Sequence, residues 1–300
     1  MEINRQKLNI IVLNWNGGNY ILKCLKSLKN AKSNLVRINI IVVDNNSNDD
    51  SVRRIAKEFP KITILKNKKN LGYSGGNNIG IKYSLKNNAD FIMLLNPDTT
   101  VNNNFIDPMI KLLASDKNVG IVGSKTYKGS FPSKIISNAG NFFDKNFVGK
   151  DLGNGKIDKG QYNSVLKTDY VSGTGILIKD KVFKEVGYFD ERFFLYYEDA
   201  DFCFRARTNG FICCFAQSSI IYHKGSVSTV FGSPLHTYYN ARNRLLFLEK
   251  YSSFKVKFFE FKKVLKISLR YLVKKRNSDK YILLGLRDYL FRHFGERTYW

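Results

Sequence analysis

The chain has 300 residues, 43% hydrophobic and 25% charged, a mixture that folds around a sizeable core. Its 49 Lys and Arg against 25 Asp and Glu leave a charge of +24, which calls for a polyanionic partner: membrane phosphate, nucleic acid or a nucleotide diphosphate. The cysteines Cys24, Cys203, Cys213 and Cys214 lack CxxC spacing, which argues against a zinc site or a disulfide framework and for reduced core thiols in a cytosolic protein.

The apolar run at 8–13 reads as a buried strand, and 20–28, with Ile21, Leu22, Leu25 and Leu28 at helical spacing, as the helix after it. That run breaks at Asn14, so no signal peptide is expected, and no uncharged stretch approaches the roughly 18 residues of a spanning helix. A second strand at 38–43 ends at Asp44, a polar turn caps a helix at 52–59, and 62–65 is a third strand. A glycine-rich turn at 72–76 precedes a helix at 78–85 and a strand at 91–95. Such a βαβα series predicts a parallel sheet with ligands at the carboxyl ends of its strands, where Asp44 and Asn96-Pro97-Asp98 fall.

Further on, 102–114 is predicted helical, 119–123 a strand, and 128–168, rich in Gly, Asn, Asp and Lys, a loop or small hairpin region. A strand at 170–178, a short helix at 181–186 and a helix from the acidic cluster Glu198-Asp199-Ala200-Asp201 through Arg207 follow. From Tyr238 the chain reads as largely helical.

Oxygen donors recur at these strand ends. Asp44 can accept from a uracil or thymine imide or from a ribose hydroxyl; equally, its turn can cap the next helix. The glycine-rich stretch from Asn70 to Gly80 opens a helix and allows close backbone approach to an anion, but it is not the GxGxxG pattern. Asn96 and Asp98 suit Mg²⁺ or Mn²⁺, which takes one or two protein oxygens together with substrate phosphates, while N-P-D is also ordinary turn chemistry. Glu198, Asp199 and Asp201 lie beside Phe193, Phe194, Tyr196 and Tyr197, where burial and like charge raise a carboxylate's pKa toward that of a general base. A solvated acidic helix start is the alternative. His223 follows the strand-like Ile220-Ile221-Tyr222 and is either structural or a metal ligand.

In order along the chain, Asn14-Trp15-Asn16-Gly17, Val43-Asp44-Asn45-Asn46-Ser47, the Asn70 to Gly80 stretch, Leu95-Asn96-Pro97-Asp98, Ser172-Gly173-Thr174-Gly175, and Gly187 to Phe194 leading into Glu198-Asp199-Ala200-Asp201 resemble family-2 glycosyltransferases of GT-A fold. The resemblance spans roughly 8–245 and is strongest to the rhamnosyltransferase-like branch that builds surface polysaccharides. It implies an α/β mixed sheet flanked by helices over 1–245, with a nucleotide-binding half at 1–100 and an acceptor half at 101–245, and a helical appendage at 246–300. It further implies nucleotide-sugar contacts at Asn14, Asn16, Asp44, Asn46, Gly72, Gly76, Asn78, Asn96 and Asp98, and acceptor-side contacts at Ser172, Gly173, Thr174 and Glu198. Asp98 and His223 would hold Mn²⁺ or Mg²⁺, and Asp199 would be the base in an inverting transfer to a glycan or polyprenyl-phosphate-linked acceptor. Asn96, where many relatives carry Asp, removes one charge from that metal site.

The last fifty residues hold 13 Lys or Arg and 4 Asp or Glu, so +9 of the charge sits there. From Phe254 to Leu272, helical spacing puts Phe254, Phe258, Phe261, Leu265, Leu269 and Leu272 on one face and Lys255, Lys262, Lys263, Lys266 and Arg270 on the other. Such a helix either lies on an anionic membrane surface, placing the enzyme on the inner face of the cell membrane, or packs its apolar face on the catalytic domain. Two other functions compete: a sugar-nucleotide pyrophosphorylase, which would carry Arg and Lys where this chain has Asn14-Trp15-Asn16-Gly17-Gly18, and a non-enzymatic nucleic-acid binder, suggested by the charge with 23 Phe and 17 Tyr. The second leaves the acidic cluster unexplained, so no nucleic acid is expected as a partner.

Overall fold

The computed structural model describes residues 5–164, 166–225, 230 and 232–297. The amino-terminal part alternates β1 (Gln6–Asn14), α1 (Gly18–Asn30), β2 (Val36–Asp44), α2 (Ser51–Glu58), β3 (Thr63–Lys66), α3 (Gly72–Lys86) and β4 (Phe91–Leu95). There follow β5 (Thr99–Val101), α4 (Ile106–Ser115), β6 (Val119–Lys128), β7 (Ile136–Asn138), β8 (Asn141–Phe143), β9 (Gly149–Asp151), β10 (Leu166–Lys167) and β11 (Gly175–Lys179). The chain continues with α5 (Asp180–Val186), α6 (Glu198–Thr208), β12 (Ile212–His223), α7 (Pro234–Tyr251), α8 (Phe254–Lys274) and α9 (Asn277–Leu290).

The main sheet has strand order β10-β12-β6-β11-β4-β1-β2-β3, with β5 on β12 and β7 on β6. The pairs β1–β2, β2–β3, β1–β4 and β6–β12 are parallel, whereas β11 runs antiparallel between β4 and β6, so the sheet is mixed rather than purely parallel. Period-two alternation gives each strand two apolar faces. Leu8, Ile10 and Val12 of β1 belong to one buried cluster with Ile21 and Leu25 of α1 and Met109 and Leu113 of α4, while Ile11 and Leu13 belong to the cluster on the other face with Ile81 of α3, Val182 of α5 and Phe202 of α6. This is the α/β mixed sheet flanked by helices that the resemblance implies. All four cysteines are free and buried, as expected.

Two elements differ from expectation. The predicted glycine-rich turn is the first part of α3, because its glycines serve close packing: a Cβ on Gly76 would stand 2.5 Å from Leu13 Cδ1, and one on Gly80 2.8 Å from Ile11 Cγ2. At 246, where the helical appendage is expected to begin, α7 continues without a break, and Leu245 packs with Val264 of α8 and Leu286 of α9. Among the described residues no helix is long and apolar enough to cross a membrane.

Candidate active site

A cleft of about 380 Å³ opens at the carboxyl ends of β1 and β4, lined among others by Trp15, Asn45, Tyr73, Asn96, Asp98, Ser172, Gly173, Thr174, Glu198, Asp199, His223 and His236. Asn96-Pro97-Asp98 and Glu198-Asp199, about a hundred residues apart in sequence, therefore meet in one space. The link between them is short: Asn96 N–H donates to the Thr174 carbonyl at 3.1 Å, and Gly173 N–H donates to Asp199 Oδ2 at 2.9 Å.

Asp98 sits in the turn between β4 and β5, and β12 brings His223 to it. A register shift between Ala216 and Ile220 lets the end of β12 pair with β5, His223 opposite Thr99. His223 Nε2 then lies 3.1 Å from Asp98 Oδ1, with both side chains largely buried. No group of three or more His, Cys, Asp or Glu is assembled for a metal among the described residues. An imidazole and a carboxylate fit a divalent cation that takes its other ligands from diphosphate and water.

Glu198 and Asp199 open α6, where the helix dipole favours negative charge. Burial raises the Asp199 pKa, while the N–H groups of Gly173 and Ala200 favour its ionised form. Glu198 is pushed much further up, by burial and then by the charge of Asp199, and its buried Oε2 has no hydrogen-bond partner. The two carboxyls thus differ: burial and like charge favour the protonated form more strongly at Glu198 than at Asp199. Asp201 is turned away from the cleft, buried against Arg205 Nε at 2.9 Å, the Lys250 ammonium and the Tyr251 hydroxyl at 2.7 Å. The expected cluster of three carboxylates is thus two at the site and one in the packing, because Arg205, Lys250 and Tyr251 engage Asp201.

The chain entering α6 is strained. Phe194, Tyr196 and Tyr197 have φ of 60°, 70° and 74°, each costing on the order of 1–3 kcal/mol. The fully buried Arg242 and Asn243 of α7 offset this cost. Asn243 Nδ2 donates to the carbonyls of Phe193, Leu195 and Tyr196 at 2.6, 2.8 and 3.0 Å, and Arg242 Nη2 to those of Arg192 and Phe193 at 3.0 and 3.2 Å. Sequence reading missed this clamp; its signal was the polar run Arg242-Asn243-Arg244 between the apolar Tyr238-Tyr239 and Leu245 to Leu248.

Tyr73, also missed, spans the cleft floor. Its hydroxyl donates to the Gly173 carbonyl at 2.6 Å and its backbone N–H to the Phe194 carbonyl at 2.7 Å. Only glycine fits at 173, where a Cβ would stand 2.4 Å from that hydroxyl. Trp15 at the end of β1, and His236 in the first turn of α7 with its ring edge-on to Tyr196 at 5.3 Å, complete the walls.

Of the residues expected to touch the nucleotide sugar, Gly72, Asn96 and Asp98 line the cleft, as do Ser172, Gly173, Thr174 and Glu198 on the acceptor side. Asn14, Asn16, Asp44, Asn46, Gly76 and Asn78 do not. Asn14 is buried at the end of β1 opposite Asp44, and its Nδ2 donates to Asp44 Oδ1 at 2.9 Å; Ser47 Oγ donates to that same oxygen at 2.6 Å. Asn16 accepts from Asn48 N–H at 2.7 Å and shapes the same turn, and Asn46 is exposed at φ 64°. Asn78 is occupied, donating to the Phe189 carbonyl and to Glu191 Oε1, both at 3.0 Å. Asn45, not expected, joins this turn to the cleft wall by donating to Asn70 Oδ1 at 2.7 Å and the Gly72 carbonyl at 3.0 Å.

Comparison with known proteins agrees with this geometry. The family model Glycosyl transferase family 2 matches residues 9–187. The low-salt glycan biosynthesis hexosyltransferase Agl10 of Haloferax volcanii is 29% identical over 243 residues, covering 80% of this chain and 74% of the relative. The N-acetylglucosaminyl-diphospho-decaprenol L-rhamnosyltransferase of Mycobacterium tuberculosis is 24% identical, covering 74% and 77%. Among solved structures, GalNAc-T7 with UDP, GalNAc and Mn²⁺ superposes with a TM-score of 0.63 at 14% identity, a likeness of fold that covers 98% of this chain and 59% of that one.

Proposed function

The chain belongs to glycosyl transferase family 2 and is a glycosyltransferase; from that premise we propose that it moves a hexose, rhamnose or a relative, from a nucleotide diphosphate to a glycan or polyprenyl-linked acceptor with inversion at the anomeric carbon. The observation that carries the reading is the meeting of Asp98–His223 and Asp199 in one cleft.

In this reading Asp199 accepts the proton of the acceptor hydroxyl as that oxygen attacks the anomeric carbon from the face opposite the diphosphate. The bond from the anomeric carbon to the phosphate oxygen breaks, and the nucleotide diphosphate leaves with the electron pair. Asp98 and His223 would hold Mn²⁺ or Mg²⁺, which supplies charge neutralisation on the leaving diphosphate when bound. Glu198, held protonated, can donate a hydrogen bond to a sugar oxygen beside the reacting hydroxyl, and Tyr73 fixes the Ser172 to Thr174 turn against which the sugars lie. Asp44 and its turn, at the end of the strand beside β1, would lie toward the base in this reading. Support for a lipid-linked acceptor comes from the mycobacterial relative, whose name carries diphospho-decaprenol. Such an acceptor would place the enzyme at the cytoplasmic face of the membrane.

A panel of nucleotide hexoses, screened for thermal stabilisation and hydrolysis and followed by NMR of the anomeric proton of product, tests the proposal. Inversion with one donor is expected; a product of retained configuration would reject Asp199 as base.

A further inference from the structure

Helix α8 has two faces that the fold treats differently. Phe261, Val264 and Ser268 turn inward, Val264 packing with Leu245 and Leu286, while Arg270 pairs with Asp279 of α9 at 2.7 Å. On the outer side Phe254, Phe258, Phe259, Leu265, Leu269 and Val273 stay exposed, Phe254 at 77% and Val273 at 81%. Phe261, expected on one face with Phe254 and Phe258, packs inward, and Leu272 lies outside the described side chains. At 100° per residue, Phe254, Phe258, Leu265 and Leu269 fall within one stripe about 60° wide.

Cations border this stripe. Lys255, Lys262 and Lys266 are exposed beside it, Lys262 with its ammonium 4.4 Å from the Phe258 ring centre, and Lys274, Lys275 and Arg276 follow at the helix end. Between 254 and 276 the acid is Glu260, already engaged by Arg244 at 3.1 Å and Lys263 at 3.4 Å. A protein partner is disfavoured by this composition, since lysine is depleted in protein interfaces. A headgroup layer suits it: the rings and Leu side chains enter the acyl boundary while the lysines reach phosphate. We propose that the outer face of α8 docks the protein on an anionic lipid bilayer, lying in its surface without crossing it. The purpose rests on the reading of a lipid-borne acceptor, but the contact itself does not depend on it.

Flotation of the full chain with vesicles tests the contact without donor or acceptor. The chain should float with 1:1 phosphatidylglycerol and phosphatidylcholine vesicles, and not with phosphatidylcholine alone or in about 0.5 M NaCl. Two variants carry the decision: Lys255→Glu with Lys262→Glu and Lys266→Glu, and Phe258→Ser with Leu265→Ser and Leu269→Ser. With roughly fivefold per cation, the first should lower partitioning about a hundredfold. Both should retain the native circular dichroism and transfer to a soluble acceptor. Wild-type flotation by either folded variant, no flotation of the unaltered chain, or a self-association that the serine variant abolishes while lipid stays unbound would overturn the proposal. An Asp199→Asn chain that floats but does not transfer separates this contact from the catalytic reading.

Discussion

Asn243 Nδ2 donates to the Phe193 carbonyl at 2.6 Å from α7, fifty residues downstream in sequence, and the same amide reaches Leu195 and Tyr196. It holds left-handed backbone immediately before the two carboxylates of the cleft. Asn243→Ala should destabilise the fold by about 2–4 kcal/mol, since the Leu195 and Tyr196 carbonyls lose this donor and that of Phe193 loses one of several. Relaxation of the strained loop should lower kcat more than nucleotide affinity. Denaturant titration with kinetics and calorimetry reads both, and an unchanged kcat in a folded variant contradicts the clamp.

Asp199→Asn should reduce transfer by about 10²–10⁴-fold, the range that a positioned base supplies. Donor affinity should stay within a factor of a few, because the change lies on the acceptor side. Near-normal turnover would remove Asp199 from the scheme.

Chelation should abolish transfer, and Mn²⁺ or Mg²⁺ should restore it. Asp98→Ala and His223→Ala should each weaken the Mn²⁺-dependent gain in nucleotide-diphosphate affinity, measured by calorimetry with and without metal. Full activity in chelator argues against a cation at this pair.

Stability should fall with rising pH through Glu198. Burial and the charge of Asp199 raise its folded pKa well above that of the unfolded chain, so the folded state binds the proton more tightly. That contribution is complete below the ordinary Glu value of about 4.3 and is lost as pH climbs toward the raised folded value. Glu198→Gln should therefore flatten the decline in melting temperature as pH rises above the ordinary Glu value of about 4.3. An identical decline in both proteins assigns the effect elsewhere.

Two glycines with positive φ should respond differently to alanine. At Gly72, φ +70°, a Cβ would sit 2.4 Å from the Phe194 carbonyl oxygen, whereas at Gly210, φ +84°, nothing lies within 4 Å. Gly210→Ala should cost about 1–2 kcal/mol from backbone strain alone. Gly72→Ala should cost about 2–5 kcal/mol and displace Tyr73. Equal melting temperatures for the two variants would show that the contact at Phe194 yields freely.

Much of this was legible in the residues. Apolar runs ending in Asp44 and Asn96-Pro97-Asp98 marked strand ends, because burial on both faces and a polar stop are local patterns. The order of motifs pointed to the family, and Asp98, Asp199 and His223 do share a cleft. What the tertiary structure alone decided was direction. Which of Glu198, Asp199 and Asp201 faces the cleft depends on Lys250 and Tyr251, about fifty residues away, capturing the third. The glycines of α3 look like an anion loop until Leu13 and Ile11 of β1 are laid against them. Phe261 and Phe258 have the same chemistry in sequence, and only the position of α7 and α9 sends one inward and leaves the other outside. Periodicity is set by bonds between near neighbours, whereas orientation is set by contacts closed across long stretches of chain, and those contacts exist only once the whole has folded.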